Sequence, residues 1–469
     1  MEVLTSCALR TGLSLAQLLR MFQQLIDPHL LEQWLGEDEH DFYQCAFSPL
    51  ITLWYLIFQR VEPDHTLEAV VTDAHQGGAD ALSPDHRPLS QRIRSWATSA
   101  YSNARQRLPV QTLARGLEEQ GRKIHQMAQG CDWRGVWPTL LDGSTVRMRP
   151  YKAVAKTYPP HRNGQQQQKG QEGYWCLLRV VVSFCARTGV ALTNAMGSLR
   201  ESEQALAMQL IRQASGQELF IGDQNFGIFR VVQAVRQVKA SALVRLTEAR
   251  ARKLAGGSLR VGTEQRLDWT PSRYDQQEAG CSSEPVAGRL IVVRVQRKGY
   301  RSQVLYLFTT LTDTRNYPMA ELVELYGVRW QVELDLRYLK TQMELEQLES
   351  KTPDMAQKEW LAGLMAYNLI RAVMLAAALE AGKEPLELSF SRSKRQVQRF
   401  LERWGATRQG QLEAWTNLLK AVACCGLPRR SKPRPCEPRR ERTLRHKFPP
   451  LIGSRAEARR RYNNRVSQN

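Results

Sequence analysis

The chain has 469 residues, 42% of them apolar and 24% charged, and a formal net charge of +20. A chain of this length buries a large core and suits two or three domains, and so large an excess of positive charge points to a polyanionic partner. The nine cysteines (7, 45, 131, 176, 185, 281, 424, 425 and 436) lack C-x2-C spacing, which supports neither a disulfide framework nor a zinc site and suits a reducing compartment.

Residues 1–130 read as a helical N-terminal region. Leu13–Phe22 shows helical apolar spacing behind Ser14 as a cap, Gln76–Pro88 reads as a loop, and Ser90–Arg107 places Arg92, Arg94, Arg105 and Arg107 around Trp96 on a helix-compatible pattern. A DNA-end-binding role suits this region, although no helix-turn-helix consensus is present. Glu2 and Arg10 interrupt any signal-peptide core. Of the two most apolar stretches, Leu50–Phe58 is too short to span a bilayer and Ala362–Leu379 is interrupted by Asn368 and Arg371, so no membrane partner is expected.

From Trp137 the pattern turns α/β. Strands are predicted over Thr139–Asp142, Trp175–Phe184, Gly189–Ala195, Leu219–Gly222 and Ala242–Leu246, with helices over Glu201–Ala214 and Phe229–Val238. This alternating part spans 131–246 and resumes over 313–380. Between them, 247–312 reads as a β-rich insertion with strands at Arg289–Val295 and Val304–Thr310. The polar run Gln165–Gln168 reads as a loop. Residues 381–469 form a helical region ending in a basic tail: from Leu427 onward there are fourteen Lys and Arg against three acids, with six prolines.

Three separated acids carry the chemistry. Asp142 ends the apolar run Thr139-Leu140-Leu141, and Asp223 ends Leu219-Phe220-Ile221-Gly222. Each is expected at the carboxyl end of a strand, where α/β sheets place ligand chemistry, although an aspartate taken singly at such a place is more often a turn or capping residue. The third is Glu333. Tyr326, Arg329, Glu333 and Lys340 fall within a stripe about 60° wide on an ideal helix, and Arg337 shares it. A carboxylate among cations suits a metal-dependent enzyme acting on phosphates. Arg329–Glu333 and Glu333–Arg337 also have the i,i+4 spacing of an ordinary surface ladder.

Asp142, then Asp223 in an Asp-x-Asn-Phe-Gly setting, then Tyr-x2-Arg-x3-Glu-x6-Lys together resemble the DDE transposases of bacterial insertion sequences, in the insertion-sequence-four type group named for its Tyr-Arg-Glu-Lys signature. The resemblance covers roughly residues 100–375. It implies a ribonuclease H-like core, a mixed sheet flanked by helices, with the β-rich insertion between the second and third acids. It further implies cut-and-paste transposition, with Asp142, Asp223 and Glu333 holding two Mg2+ ions and Mn2+ able to substitute. Tyr326, Arg329 and Lys340 would hold DNA phosphates, with Arg337 a further contact and Trp269 an aromatic for stacking a flipped base. The implied partners are double-stranded DNA, both terminal inverted repeats and target, and a second copy of the chain in a synaptic dimer. The implied setting is bacterial cytoplasm and nucleoid. A structure-selective nuclease on the same core, a domesticated DNA-binding protein and an RNA-binding protein are the competing expectations.

Overall fold

A computed structural model describes residues 22–23, 25–37, 46–83, 87–128, 130–160, 174–277, 280–295, 303–402, 408–427 and 453–466. The expected helix at Leu13–Phe22, save Phe22 itself, the run Gln165–Gln168 and most of the basic tail therefore lie outside the described residues.

Among the described residues nine strands form one sheet: β1 Trp137–Met148, β2 Cys176–Cys185, β3 Ala191–Gly197, β4 Glu218–Gly222, β5 Ser241–Arg245, β6 Thr263–Trp269, β7 Val286–Val295, β8 Gln303–Thr309 and β9 Gln347–Leu348. Their order is β3-β2-β1-β4-β5-β8-β7-β6, with β9 added beside β1. β1, β2 and β3 form an antiparallel meander, and β4 and β5 lie parallel to β1. This mixed α/β half is the ribonuclease H-like arrangement. The β-rich insertion does not stand apart from it. Strand β8 pairs antiparallel with β5 through Leu243↔Thr309 to Arg245↔Leu307, so β6, β7 and β8 continue the same sheet.

Alternation along the strands separates two cores. Leu140, Val180, Val182, Leu219, Ile221 and Leu243 face one apolar cluster, and Leu141, Val181, Phe220, Ala242 and Val244 face the other. The first cluster is built with helices α1 Pro28–Glu37, α2 Pro49–Val61, α3 Leu67–His75, α4 Ser99–Arg107 and α5 Val110–Met127. The second is covered by α6 Glu203–Ile211 and α7 Phe229–Gln237. Ser90–Arg107 is not one helix: a four-residue helix, Leu89–Arg92, is followed by extended chain before α4.

After the insertion come α8 Met319–Gly327, α9 Trp330–Arg337, a π-helical turn Tyr338–Gln342, and α10 Pro353–Glu380, followed by α11 Phe390–Glu402, α12 Arg408–Ala423 and α13 Arg455–Val466. Thr352 caps α10 by accepting from Met355 N–H, and Pro353 supplies a fixed φ at its first turn. By length and hydropathy α10 could cross a membrane, yet its apolar window is wholly buried within the protein, so it serves as the core helix under the sheet.

Candidate active site

The pairing of β1 with β4 brings two of the acids together. The last paired residues are Leu140 and Ile221, and Asp142 and Asp223 each stand two residues further on in the same register. Neighbouring strands lie about 4.8 Å apart, so the two backbones deliver their carboxylates to one place. There the strands part. β4 stops at Gly222, whereas β1 runs on to Met148 and meets β9 at Arg147 and Met148. Among the described residues no strand pairs with 141–146 on that side of β1, which leaves a notch where the carboxyl end of β4 meets the middle of β1. Asp142 is thus inside a strand rather than at its end, because β2 keeps pairing beyond it through Met148↔Cys176.

Asp142 continues the row of Leu140 and so points towards the helical layer that holds α9, where Val332 and Leu336 pack into the same core. Its Oδ1 accepts from Gly143 N–H at 2.8 Å. Burial pushes the Asp142 carboxyl up to about 6; Asp223 and Glu333 add to the rise, while the Gly143 hydrogen bond and Arg329 oppose it. Asp223 and Glu333 are therefore both within electrostatic reach of Asp142. Glu333 accepts an ion pair from Arg329 Nη2 at 2.7 Å, the i,i+4 contact anticipated from spacing. Burial opposes the Arg329 charge, but Glu333, Tyr326 and Asp142 outweigh it and raise its pKa. Tyr326 is almost fully buried, and burial pushes its phenol up to about 12, with Arg329, Arg245 and Asp223 in reach.

The signature is not one regular helix. Tyr326 is in the last turn of α8, Arg329 lies in the link, Glu333 is in α9 and Lys340 is in the π turn. Across the link, Arg329 N–H bonds Tyr326 O and Gln331 N–H bonds Val328 O, an i→i−3 pattern that rotates the stripe. The wider π turn then carries Lys340 away. Burial lowers its pKa, and its charged neighbours are Glu346 and Arg147 rather than Asp142, Asp223 or Glu333. Arg337 is exposed, with its guanidinium 6.0 Å from the Tyr338 ring centroid.

Trp269 calls for a correction. It is 5% exposed and packs edge-on against Phe308 at 4.9 Å and Phe229 at 6.0 Å, inside the second core. The ring offers no open face for a base, because it closes the inner face of β6 over α7 and β8.

Several residues escaped the sequence reading. Asn225 N–H donates to Asp223 Oδ1 at 2.8 Å, and its side chain donates to Glu203 Oε2 at 2.6 Å while accepting from Gln204 at 2.6 Å. Glu203, at the first turn of α6, also lies over Gly143, where a Cβ would meet its carboxyl carbon at 2.9 Å. Asn225 belongs to the Asp-x-Asn-Phe-Gly stretch that was visible; Glu203 had no local signal. Gly227 closes that stretch because a Cβ there would stand 2.0 Å from Arg245 O. Arg245 itself has a buried Nε without a hydrogen-bond partner among the described residues, beside Tyr326. Elsewhere, His125, Cys131 and Cys185 bring one ligand atom each within 4.8 Å of one another, all buried. Without C-x2-C spacing, sequence offered no reason to group them.

A ribonuclease H-like sheet that directs acids from β1 and β4 towards a helix bearing a third is the architecture of a DDE-type enzyme. The Transposase DDE domain family matches residues 135–369, half of the chain, and the protein belongs to that family; it is an enzyme of the DDE transposase class. It is 26% identical over 390 residues to the transposase InsG for insertion sequence element IS4 of Escherichia coli strain K12, spanning 80% of this chain and 81% of that one. Among solved structures it is similar to a piggyBac transposase synaptic complex with hairpin DNA, seen by cryo-electron microscopy, at a TM-score of 0.41 and 10% identity over 86% of each chain.

Proposed function

We propose that this transposase moves its element by metal-dependent cleavage and strand transfer at terminal inverted repeats, working as a dimer on double-stranded DNA, with Asp142, Asp223 and Glu333 as its catalytic acids. The observation that carries this reading is the shared register of Asp142 and Asp223 on β1 and β4, with the Glu333 carboxylate in electrostatic reach. The donor set suits a hard cation, since all three ligands are carboxylates and burial beside like charges makes the ionised Asp142 costly until a cation offsets it. Two Mg2+ ions, or Mn2+ in their place, would supply Lewis-acid polarisation of the phosphate and a more acidic water or 3′-hydroxyl.

The protein's own groups do the positioning. Tyr326 keeps its proton at neutral pH and so remains a hydrogen-bond donor to a phosphate oxygen. Arg329, held by Glu333, needs only a small movement to offer its free N–H groups to the same phosphate. Arg245 brings a third donor. Lys340 and Arg147 hold the DNA backbone further along, beyond the scissile position. The Asn225 backbone N–H holds the Asp223 carboxylate, and Glu203 anchors the Asn225 side chain.

The test is cleavage of an end-containing plasmid in Mg2+. Asp142→Ala, Asp223→Ala and Glu333→Ala are each expected to abolish cleavage while leaving end binding largely intact, because basic contacts supply the affinity. Near-normal cleavage by any one of them removes that acid from the site.

A further inference from the structure

We propose that His125, Cys131 and Cys185 form a zinc site that fastens the N-terminal helices to the catalytic sheet. This site is independent of the acids that process DNA. One ligand atom from each lies within 4.8 Å of the other two, and their residues are 6%, 4% and 1% exposed. Tetrahedral zinc with two sulfurs and one imidazole nitrogen sets its donors about 3.5–3.8 Å apart, so binding requires only a modest contraction.

A second observation also points to a ligand. His125 Nδ1 is buried and has no partner of good hydrogen-bond geometry among the described residues, although the ring lies against the Cys185 thiol, which in turn meets Cys131. A buried ring nitrogen left unpaired costs free energy, and coordination would recover it. The ring is wedged edge-on against Trp137 at 4.4 Å, which holds its plane next to the two thiols. Thiolate and imidazole donors favour zinc over the hard cation suited to the acidic site. Asp132, exposed and adjacent to Cys131, is in electrostatic reach of His125 and Cys131 but outside the group of three, so the fourth position would fall to a water or to this carboxylate after a side-chain movement.

The placement gives the site its purpose. His125 is near the end of α5, Cys131 lies in the chain that leads from α5 into β1, and Cys185 is the last residue of β2. A metal there would tie the last N-terminal helix to the strand that pairs with the Asp142 strand, where Thr139 sits opposite Cys185. Arg187 already braces the same junction through Gly130 O and an ion pair with Glu384 at 2.8 Å.

The direct measurement is zinc content of the purified full-length protein by mass spectrometry. About one zinc per chain is expected, falling below about a tenth in Cys131→Ser and Cys185→Ser, with Cys281→Ser unchanged. His125→Ala should lose the metal and His125→Cys should keep it, which separates ligation from packing. A zinc-selective chelator should lower the melting temperature of the wild type. If the serine variants do not fold, Co2+ loaded into wild type should still show thiolate charge-transfer absorption. Wild-type protein without zinc after reconstitution, zinc retained by both serine variants, or an intact Cys131–Cys185 disulfide on non-reducing peptide mapping would each overturn the assignment.

Discussion

Burial beside two other acids makes the ionised Asp142 side chain unfavourable in metal-free protein. Because its pKa is raised from 3.8 to about 6, the stability it contributes is present below the unfolded value and is lost as pH rises through about 6. Asp142→Asn should therefore raise the metal-free melting temperature at neutral pH, by the equivalent of about 1–3 kcal/mol. Mg2+ should stabilise wild type by preferential binding to the folded state, and the asparagine variant should gain much less. An asparagine variant that melts lower in chelator and responds fully to Mg2+ would exclude Asp142 as a ligand. Arg329 poses the complementary question. Its ion pair with Glu333 could be a surface ladder worth about 0.3–0.5 kcal/mol, in which case Arg329→Ala would leave activity untouched. If it clamps phosphate, cleavage should fall about a hundredfold or more, roughly 2.7 kcal/mol, with little change in melting temperature. Arg329→Lys should rescue only in part, since an ammonium cannot reproduce a bidentate fork. Cleavage rates and thermal unfolding on the same three proteins decide between the two.

At the scale of elements, the site depends on how α9 is held. Two residues after Glu333, on the opposite face, Asp335 is fully buried and accepts from Arg371 of α10 at 2.5 Å and from Tyr367 at 3.1 Å. The Arg371 guanidinium sits 5.2 Å from the ring centroids of both Tyr367 and Phe390, and Gly189, at φ +70°, leaves room where a Cβ would be 2.9 Å from its Cζ. Removing one partner strands a buried charge, so Arg371→Ala or Asp335→Ala should cost about 3–5 kcal/mol in urea unfolding. Asp335→Leu combined with Arg371→Met should cost less than the two separate losses added together. Simple additivity would mean that the pair does not act as a unit. This network also shows where sequence reading succeeds and stops. Apolar runs such as Leu219–Ile221 and Val180–Phe184 announce buried strands, and those strands lie where their pattern placed them. The two aspartates were legible because each follows such a run. The signature stripe was legible as a set of residues but not as geometry, since neither the i→i−3 link at Val328–Gln331 nor the π turn at Tyr338 leaves a mark in side-chain periodicity. The merging of β8 with β5, the burial of Trp269 and the meeting of His125 with Cys131 and Cys185 all depend on contacts between distant segments, which local pattern does not encode.

At the scale of the whole molecule, charge is distributed unevenly against the fold. The family match ends at residue 369, yet more than half of the net +20 lies from Leu427 onward, where Lys and Arg outnumber acids by eleven. Within that stretch α13 carries Arg455, Arg459, Arg460, Arg461 and Arg465 against Glu457 alone. A polycation of this kind adds affinity through counterion release, and each phosphate it neutralises steepens the fall of log K with log salt by about 0.9. Deleting 427–469 should therefore flatten that slope by several units on any duplex. The ratio of affinity for element ends over random DNA should hold or rise, because phosphate contacts carry no sequence information. Cleavage at saturating DNA should survive, since the acids, Tyr326 and Arg329 all lie within 142–333. Titrations over a range of salt, with end-containing and scrambled duplexes side by side, separate these outcomes. An unchanged slope would mean that the tail does not touch DNA, and a selective loss of end binding would make it part of the recognition surface instead.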